Sequence, residues 1–481
     1  MERRALTFDD ILLVPQSSGV LPSEVSLTTR LTKNISLNIP LVSAAMDTVT
    51  ESATAIAMAR QGGIGVIHKN LSIEEQVSEV RKVKERAYSV VLHPRTVSPT
   101  DTLEKIFEMK HSIGISSFPV VEGTKLVGIV TARDLLFEHD HTKKVSEVMT
   151  KKVVSVVGMV STEEAKRVLH ENRIEKLPIV DDKGNLKGLL TITDVLSKEK
   201  HPSSLRDAEG RFVVGAAIGP KDFERLEALI KAETDVIFLD TSHGHSKVVV
   251  DAVRKIKSEY AVELVAGNIA TKEAAEDLIS AGADAVKVGI GPGAICTTRV
   301  IAGVGMPQFS AIIDTCLAAT KSGIPVIADG GVKYSGDITK ALAAGASSVM
   351  LGSLFAGCEE SPGKVIFLHN RKFKQYRGMG SLGAMKKGSS ERYFQNKDAK
   401  LVPEGVEGVV PYKGTIYEVI YQMLGGLRSG MGLVGAKDIE TLRTKSKWVE
   451  VTAAGTKESH PHDIIITEEA PNYAGSSGNG V

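Results

Sequence analysis

Apolar positions in this chain gather in short runs, and the stretches between them carry hydrophobic residues at helical spacing. Leu41-Val42-Ser43-Ala44-Ala45-Met46, entered through Pro40, is the first run, and Ile64 to Ile67 is the second. A short continuous apolar run bounded by turn residues predicts a buried strand. Between the two, Ala53 to Ala59 reads as a small-residue helix closing at Gly62-Gly63, where glycine suits a helix end. After the second run, Ser72 and Glu75 have the spacing of a capping box, and Ile73, Val77, Val80 and Lys84 share one helical face. Six further runs follow at Phe212 to Ala217, Val236 to Asp240, Glu263 to Ala266, Ala285 to Val288, Pro325 to Ala328 and Ser348 to Leu351. Helical stretches separate them, among them Lys221 to Ala232, Lys272 to Ser280 and Ala311 to Ser322. Eight strands alternating with helices predict an α/β fold closed as a (β/α)8 TIM barrel. The turns Ala281-Gly282-Ala283 and Ala344-Gly345-Ala346, each before a strand, recur as such units require.

The alternation breaks once. Phe118-Pro119-Val120-Val121 matches Leu177-Pro178-Ile179-Val180, Gly128 matches Gly188, and Thr131-Ala132-Arg133-Asp134 matches Thr191-Ile192-Thr193-Asp194, at offsets of 59, 60 and 60 residues. Two copies are too few for a solenoid, so they predict one small pseudo-symmetric domain inserted between the second and third barrel units. The Thr-x-x-Asp ends resemble those of a tandem CBS (Bateman) domain, which implies that Asp134 and Asp194 hold the ribose of a regulatory purine nucleotide. Capping of the helices that begin there is the other role open to both aspartates. The predicted domains are a first barrel part over residues 1–92, the inserted pair over 93–203, and a second barrel part over 204–481.

Outside the barrel pattern, residues 6 to 16 look like an extended lead-in ended by Pro15. Residues 372 to 414, rich in Gly, Lys and Arg, are too long for an ordinary connection and read as a lid or binding loop, a flap. An apolar helix is predicted from Ile416 to about Leu424, and residues 474–481 are expected to be disordered.

Composition narrows the class of function. The 59 Lys and Arg balance 58 Asp and Glu, so no basic field recruits nucleic acid or an anionic membrane. No apolar run approaches the roughly 18 to 20 residues of a membrane span. Three cysteines, Cys296, Cys316 and Cys358, form neither a disulfide framework nor a zinc spacing, and the start Met-Glu-Arg-Arg lacks a signal-peptide core. A cytoplasmic protein acting on small molecules is the expectation.

Barrel enzymes place their sites at the C-terminal ends of the strands. There the chain carries Met46-Asp47, His68, Asp240-Thr241-Ser242-His243-Gly244, Gly267-Asn268, Asp329-Gly330-Gly331 and Gly352-Ser353. It also carries Gly289-Ile290-Gly291-Pro292-Gly293-Ala294-Ile295-Cys296-Thr297-Thr298-Arg299. The glycines of that turn allow close approach to a ligand, and the hydroxyls of Thr297 and Thr298 suit a sulfur or a reacting group, so Cys296 is the candidate nucleophile. Glycines at the starts of helices after the seventh and eighth strands predict a phosphate site, with Asp329 one step away at a distance suited to ribose hydroxyls. A nucleoside monophosphate is therefore the expected ligand. Cys316 and Cys358 lack such neighbours and read as structural.

The Cys296 loop, Asp-Gly-Gly at 329–331, Tyr-Arg-Gly-Met-Gly at 376–380, Arg392-Tyr393, and a CBS pair within a barrel together resemble the IMP dehydrogenase family, bacterial type, over essentially the whole chain. The resemblance implies that Cys296 attacks C2 of IMP, that hydride leaves to NAD, and that water hydrolyses the resulting thioimidate to XMP in guanine nucleotide biosynthesis. It implies that the Arg392-Tyr393 pair enters on a mobile flap once NADH has left. Thr298 and Glu404 offer a relay to water besides Arg392, which as an arginine stays protonated in proteins. IMP is implied on Asp329, Gly330, Gly331, Gly352, Ser353, Tyr376, Arg377, Gly378, Met379, Gly380 and Glu404. NAD is implied near Asp240, Ser242, Asn268, Gly289 and Gly291; no Gly-x-Gly-x-x-Gly signal supports it independently. Potassium is implied on carbonyls of Gly291, Gly293 and Cys296, completed by the partner subunit's Glu458, Ser459 and His460, which makes the expected assembly a homotetramer or an octamer. One position departs from the family: Ala294 stands where serine is usual, which removes a hydroxyl from the phosphate site.

Two other classes are open. A GMP reductase shares the cysteine chemistry but lacks the hydrolytic Arg-Tyr pair and usually the CBS pair. A non-catalytic CBS nucleotide sensor would leave the barrel vestigial, against which Cys296, Thr298, Arg392 and Tyr393 all stand. Metal hydrolysis would need a third ligand beside His243 and His245, and the sequence offers none.

Overall fold

The computed structural model describes residues 4–86, 90–91, 94–113, 117–158, 160–192, 195, 201–395 and 400–473. Asp194 and the segment 474–481 lie outside the described residues. Two compact units result, residues 1–86 with 203–481, and residues 87–202.

In the larger unit, eight parallel strands close a barrel. They are β1 (Leu41–Ser43), β2 (Ile64–Ile67), β3 (Gly215–Ile218), β4 (Val236–Asp240), β5 (Glu263–Ile269), β6 (Ala285–Val288), β7 (Val326–Asp329) and β8 (Ser348–Leu351). Neighbours in sequence are neighbours in space, and β2 pairs directly with β3, Gly215 opposite Val66, although more than a hundred residues of chain separate them. Strands buried on both faces read as unbroken apolar runs, which is why the pattern located them. Their limits moved. β1 stops at Ser43 rather than Met46 because the Met46 amide turns back onto the Ala44 carbonyl at 2.8 Å.

The barrel helices are α1 (Ser52–Gln61), α2 (Ile73–Arg86), α3 (Phe223–Lys231), α4 (Lys247–Glu259), α5 (Lys272–Ser280), α6 (Gln308–Ala319), α7 (Ser335–Ala343) and α8 (Ile416–Leu433). The capping box at α2 is formed: the Ser72 amide donates to Glu75 Oε2 at 2.9 Å and the Glu75 amide to Ser72 Oγ at 3.1 Å. The lead-in is not simply extended. A 3-10 turn at Phe8–Asp10 precedes a strand, Ile11–Leu13, paired antiparallel with Trp448–Glu450.

Segment 372–414 is not a structureless loop. Strands Val365–Leu368, Arg371–Arg377 and Glu407–Pro411 form an antiparallel sheet, and a short helix Leu382–Lys387 leads into a 3-10 turn at Ser389–Tyr393. The one continuous apolar run of this sheet, Val365-Ile366-Phe367-Leu368, lies before the segment and is largely exposed, so nothing within 372–414 marked the sheet.

In the smaller unit, the repeat is two equivalent hairpins, Phe118–Glu122 with Lys125–Val130 and Lys176–Val180 with Leu186–Thr191. Val120 faces Gly128 and Ile179 faces Gly188, and each hairpin slips register at the next residue. Each half buries its own core, one around Phe118 and Leu103, the other around Leu177 and Leu169. The Asp134 carboxylate accepts from the Thr131 amide at 2.8 Å and the Thr131 hydroxyl at 2.7 Å, so its capping role is realised.

Candidate active site

The loop after β6 is tied down at both ends. Gly289 sits at φ +154°, and an added Cβ would lie 2.1 Å from the Asp329 carbonyl oxygen, so only glycine passes here. Beyond it the Cys296 amide donates to the Gly293 carbonyl at 3.0 Å. The loop then zips onto the segment before the last flap strand: the Thr297 amide donates to the Glu404 carbonyl at 2.9 Å and the Val406 amide to the Ile295 carbonyl at 3.0 Å. Cys296 is thereby presented half-buried, its Sγ donating to Thr298 Oγ1 at 3.2 Å. The cavity it lines has a volume of about 120 Å³. Cys316 and Cys358 are buried, and burial pushes each thiol up to about 12, which suits inert core residues.

Lys287 is 3% exposed and forms part of the cavity floor. Its ammonium donates to Asp240 Oδ1 at 3.0 Å, to Asp329 Oδ2 at 2.7 Å and to Asn268 Oδ1. Asn268 in turn donates to Asp329 Oδ2 and the Gly289 carbonyl, both at 2.9 Å. Tips of β4, β5, β6 and β7 are thus fastened through one buried cation. Reading Ala285 to Val288 as an apolar run passed over Lys287; a lysine inside a four-residue buried strand was the available signal.

The flap supplies the opposite wall. The Arg392 guanidinium pairs with Asp240 Oδ2, and the Arg392 carbonyl accepts from the Ser242 amide at 3.0 Å. Tyr393 packs against Gly380, where an added Cβ would lie 2.7 Å from both Cζ and Oη of the ring. Burial raises the Tyr393 phenol, opposed by the adjacent Arg392 charge, so it stays a neutral donor. Glu404, Gly378, Met379, Gly291 and Gly293 complete the enclosure.

An adjoining trough shares Met46, Gly293, Asp329, Gly330 and Tyr376 with the first cavity and continues to Ala294, Gly331, Gly352 and Ser353. Helix α7 does not begin at the Asp329-Gly330-Gly331 turn. It starts at Ser335, and the Lys333 and Tyr334 amides are already taken by Asp337 at 2.8 and 3.0 Å. The helix start expected at these glycines after the seventh strand is therefore not found there.

Some expected residues are not brought together. Arg377 turns away from both cavities onto Asp47, because alternation along its strand sends Tyr376 and Arg377 to opposite faces. Glu458, Ser459 and His460 lie beyond the cavity walls, His460 Nδ1 meeting the Tyr473 hydroxyl at 3.0 Å. Among the described residues no group of three His, Cys, Asp or Glu is placed to hold a metal, and His245 pairs with Asp277 at 2.9 Å. No helix among the described residues is long and apolar enough to cross a membrane.

The family model described as IMP dehydrogenase / GMP reductase domain matches residues 5–462. An inosine-5'-monophosphate dehydrogenase of Aquifex aeolicus is 54% identical over 479 residues, 98% of each chain. The enzyme of that name from Bacillus subtilis is 53% identical over 481 residues, again 98% of each. In Helicobacter pylori strain J99 the figure is 55% over 478 residues, 98% of this chain and 99% of the other. A crystal structure of a Trypanosoma brucei GMP reductase C318A with guanosine 5'-monophosphate superposes with a TM-score of 0.90 at 42% identity, covering 96% of this chain and 99% of that one. Coverage that wide leaves no room to omit the inserted unit, so the insertion does not separate the two activities as the sequence suggested.

Proposed function

The chain belongs to the IMP dehydrogenase / GMP reductase family, and from that premise we propose that it oxidises IMP to XMP with NAD, a step toward guanine nucleotides. One observation carries the reading: the thiol of Cys296 and the flap pair Arg392-Tyr393, from separate elements, wall the same cavity.

IMP lies along the two connected troughs, its phosphate on the backbone of Gly330, Gly331, Gly352 and Ser353 beside Ala294, its ribose at Asp329. The backbone of Gly378, Met379 and Gly380, with Tyr376 and Glu404, holds the base. Cys296 Sγ bonds to C2, its proton passing toward Thr298, the nearest acceptor. NAD, when bound, accepts the hydride that leaves C2. Water then adds to C2, the C–S bond breaks and the thiol is restored. Arginine stays protonated, so Arg392 polarises that water and offsets developing charge, while Thr298 and Glu404 carry the proton.

Asp240 and Ser242, the residues assigned to NAD with Asn268, Gly289 and Gly291, are both engaged by Arg392 here. Flap and dinucleotide therefore exclude one another, and hydrolysis follows departure of NADH. The loop carbonyls of Gly291, Gly293 and Cys296 suit a hard monovalent cation such as potassium in donor type; the Gly293 carbonyl retains a lone pair after accepting the Cys296 amide. The partner subunit's Glu458, Ser459 and His460 would complete that site, in a homotetramer. In the smaller unit, a cavity lined by Thr131, Asp134, Thr150, Arg173 and Lys176 is assigned to a purine nucleotide; Asp194, the equivalent position in the second sequence repeat, lies outside the described residues.

Purified protein mixed with IMP, NAD and potassium should generate NADH absorbance, and Cys296→Ala should abolish it. GMP reduction is the second reading, favoured by the 42% identity to the Trypanosoma brucei GMP reductase. NADPH consumption with GMP and no NADH from IMP would establish that instead.

A further inference from the structure

Several strand-end residues take no part in the chemistry above: Asp47 after β1, and His68, Lys69 and Asn70 after β2. All are tied to the flap or to its anchors. Arg377 Nε donates to Asp47 Oδ1 and Oδ2 at 3.0 and 3.1 Å. Asn70 Nδ2 donates to Asp47 Oδ2 at 2.7 Å and to the Ala384 carbonyl of the flap helix at 3.3 Å. His68 Nδ1 accepts from the Asn70 amide at 3.1 Å, and its Nε2 lies 3.2 Å from Glu51. Lys69 Nζ stands 3.4 Å from Glu391 and 3.6 Å from Asp222 of the barrel. Glu391 directly precedes Arg392.

The two ion pairs differ in what release would cost. The Asp47 and Arg377 side chains are 1% and 17% exposed, so separation would strand a buried charge. Lys69 is 6% exposed but keeps Asp222 beside it, while Glu391, at 67%, is already largely in water. Parting Lys69 from Glu391 therefore strands neither group. We propose that Lys69 is a positioning residue whose reversible pair with Glu391 sets how long Arg392 and Tyr393 stay closed over Cys296, while Asp47 and Arg377 fix the base of the flap. The proposal rests on the IMP oxidation reading.

Rapid mixing with IMP and NAD separates hydride transfer, seen as a first burst of NADH with the flap out, from steady turnover, which needs the flap in. Glu391→Gln, a change at an exposed side chain that leaves the fold alone, should keep the burst rate. It should lower steady turnover by up to about fivefold, the factor carried by a partly exposed ion pair, and should let NAD inhibit at lower concentration. Lys69→Gln should do the same, the double variant should be no worse than either, and Lys69→Arg should restore turnover. Burst and turnover falling together, neither changing, or additive losses in the double variant would each overturn the latch. Absence of any NADH from the unmodified protein with IMP would instead overturn the functional reading beneath it.

Discussion

The floor of the cavity and its roof are held in different ways. The floor is made of strand tips, and its charges are buried and shared: Lys287 alone joins Asp240, Asp329 and Asn268. Nothing there can leave without exposing an unpaired charge to a low-dielectric interior. The roof is a small sheet and two short helical turns, carried on backbone pairing at Glu404 to Val406 and on side-chain ion pairs at its rim. Its charge on the cavity floor, Arg392 on Asp240, is one that a dinucleotide bound as proposed would displace. On the proposed reaction, a nucleophile that keeps one position through two chemical steps belongs on the floor, and a group that acts in only one step belongs on the roof.

Removing the cation of the floor gives the largest expected effect. Lys287→Met keeps the length of the side chain but leaves Asp329 with no cation among the described residues and Asp240 with Arg392 of the flap alone, and breaking a buried pair costs about 3–5 kcal/mol. Chemical denaturation should show that loss of stability whether or not substrate is present. A change under about 1 kcal/mol, within the range of exposed pairs, would mean that the floor is no more rigidly held than the roof.

The roof should answer differently. Gly380→Ala places a methyl 2.7 Å from the Tyr393 ring, and overpacking of this kind costs about 1–3 kcal/mol. On the flap motion proposed above, the strain is relieved by lifting the ring rather than by unfolding. The expected result is a normal NADH burst with steady turnover reduced about tenfold to a hundredfold and little change in denaturation midpoint. Loss of the burst in the same proportion would show that roof and floor act as one body.

The same contrast decides what the sequence revealed. Eight strands were legible because burial on both faces leaves an apolar run, and the repeat was legible because its hairpins share even their register slip. Cys296 stood out by its glycine-rich turn. Lys287 was hidden by its apolar neighbours, since a run is read from its average and the exception carries the chemistry. The resemblance grouped Arg377 with Tyr376 at the ligand, although a strand separates adjacent residues onto opposite faces. The flap sheet showed only the exposed run Val365 to Leu368, and Lys69 and Asn70 gain their flap partners only when chain more than 300 residues away returns to them.

Ala294 tests the outer end of the floor. It lines the trough with Gly331, Gly352 and Ser353. Serine there adds one hydroxyl to a site read as holding phosphate, and a hydrogen bond to a charged group is worth about 1.5–3 kcal/mol. Ala294→Ser should therefore lower the KM for IMP by at least about tenfold, at about 1.4 kcal/mol per decade, with burst and turnover rates unchanged because the phosphate takes no part in either step. A lower KM accompanied by altered partition between burst and turnover would mean that the trough reports to the flap. An unchanged KM would remove position 294 from the phosphate site and leave the anion to the glycine turns alone.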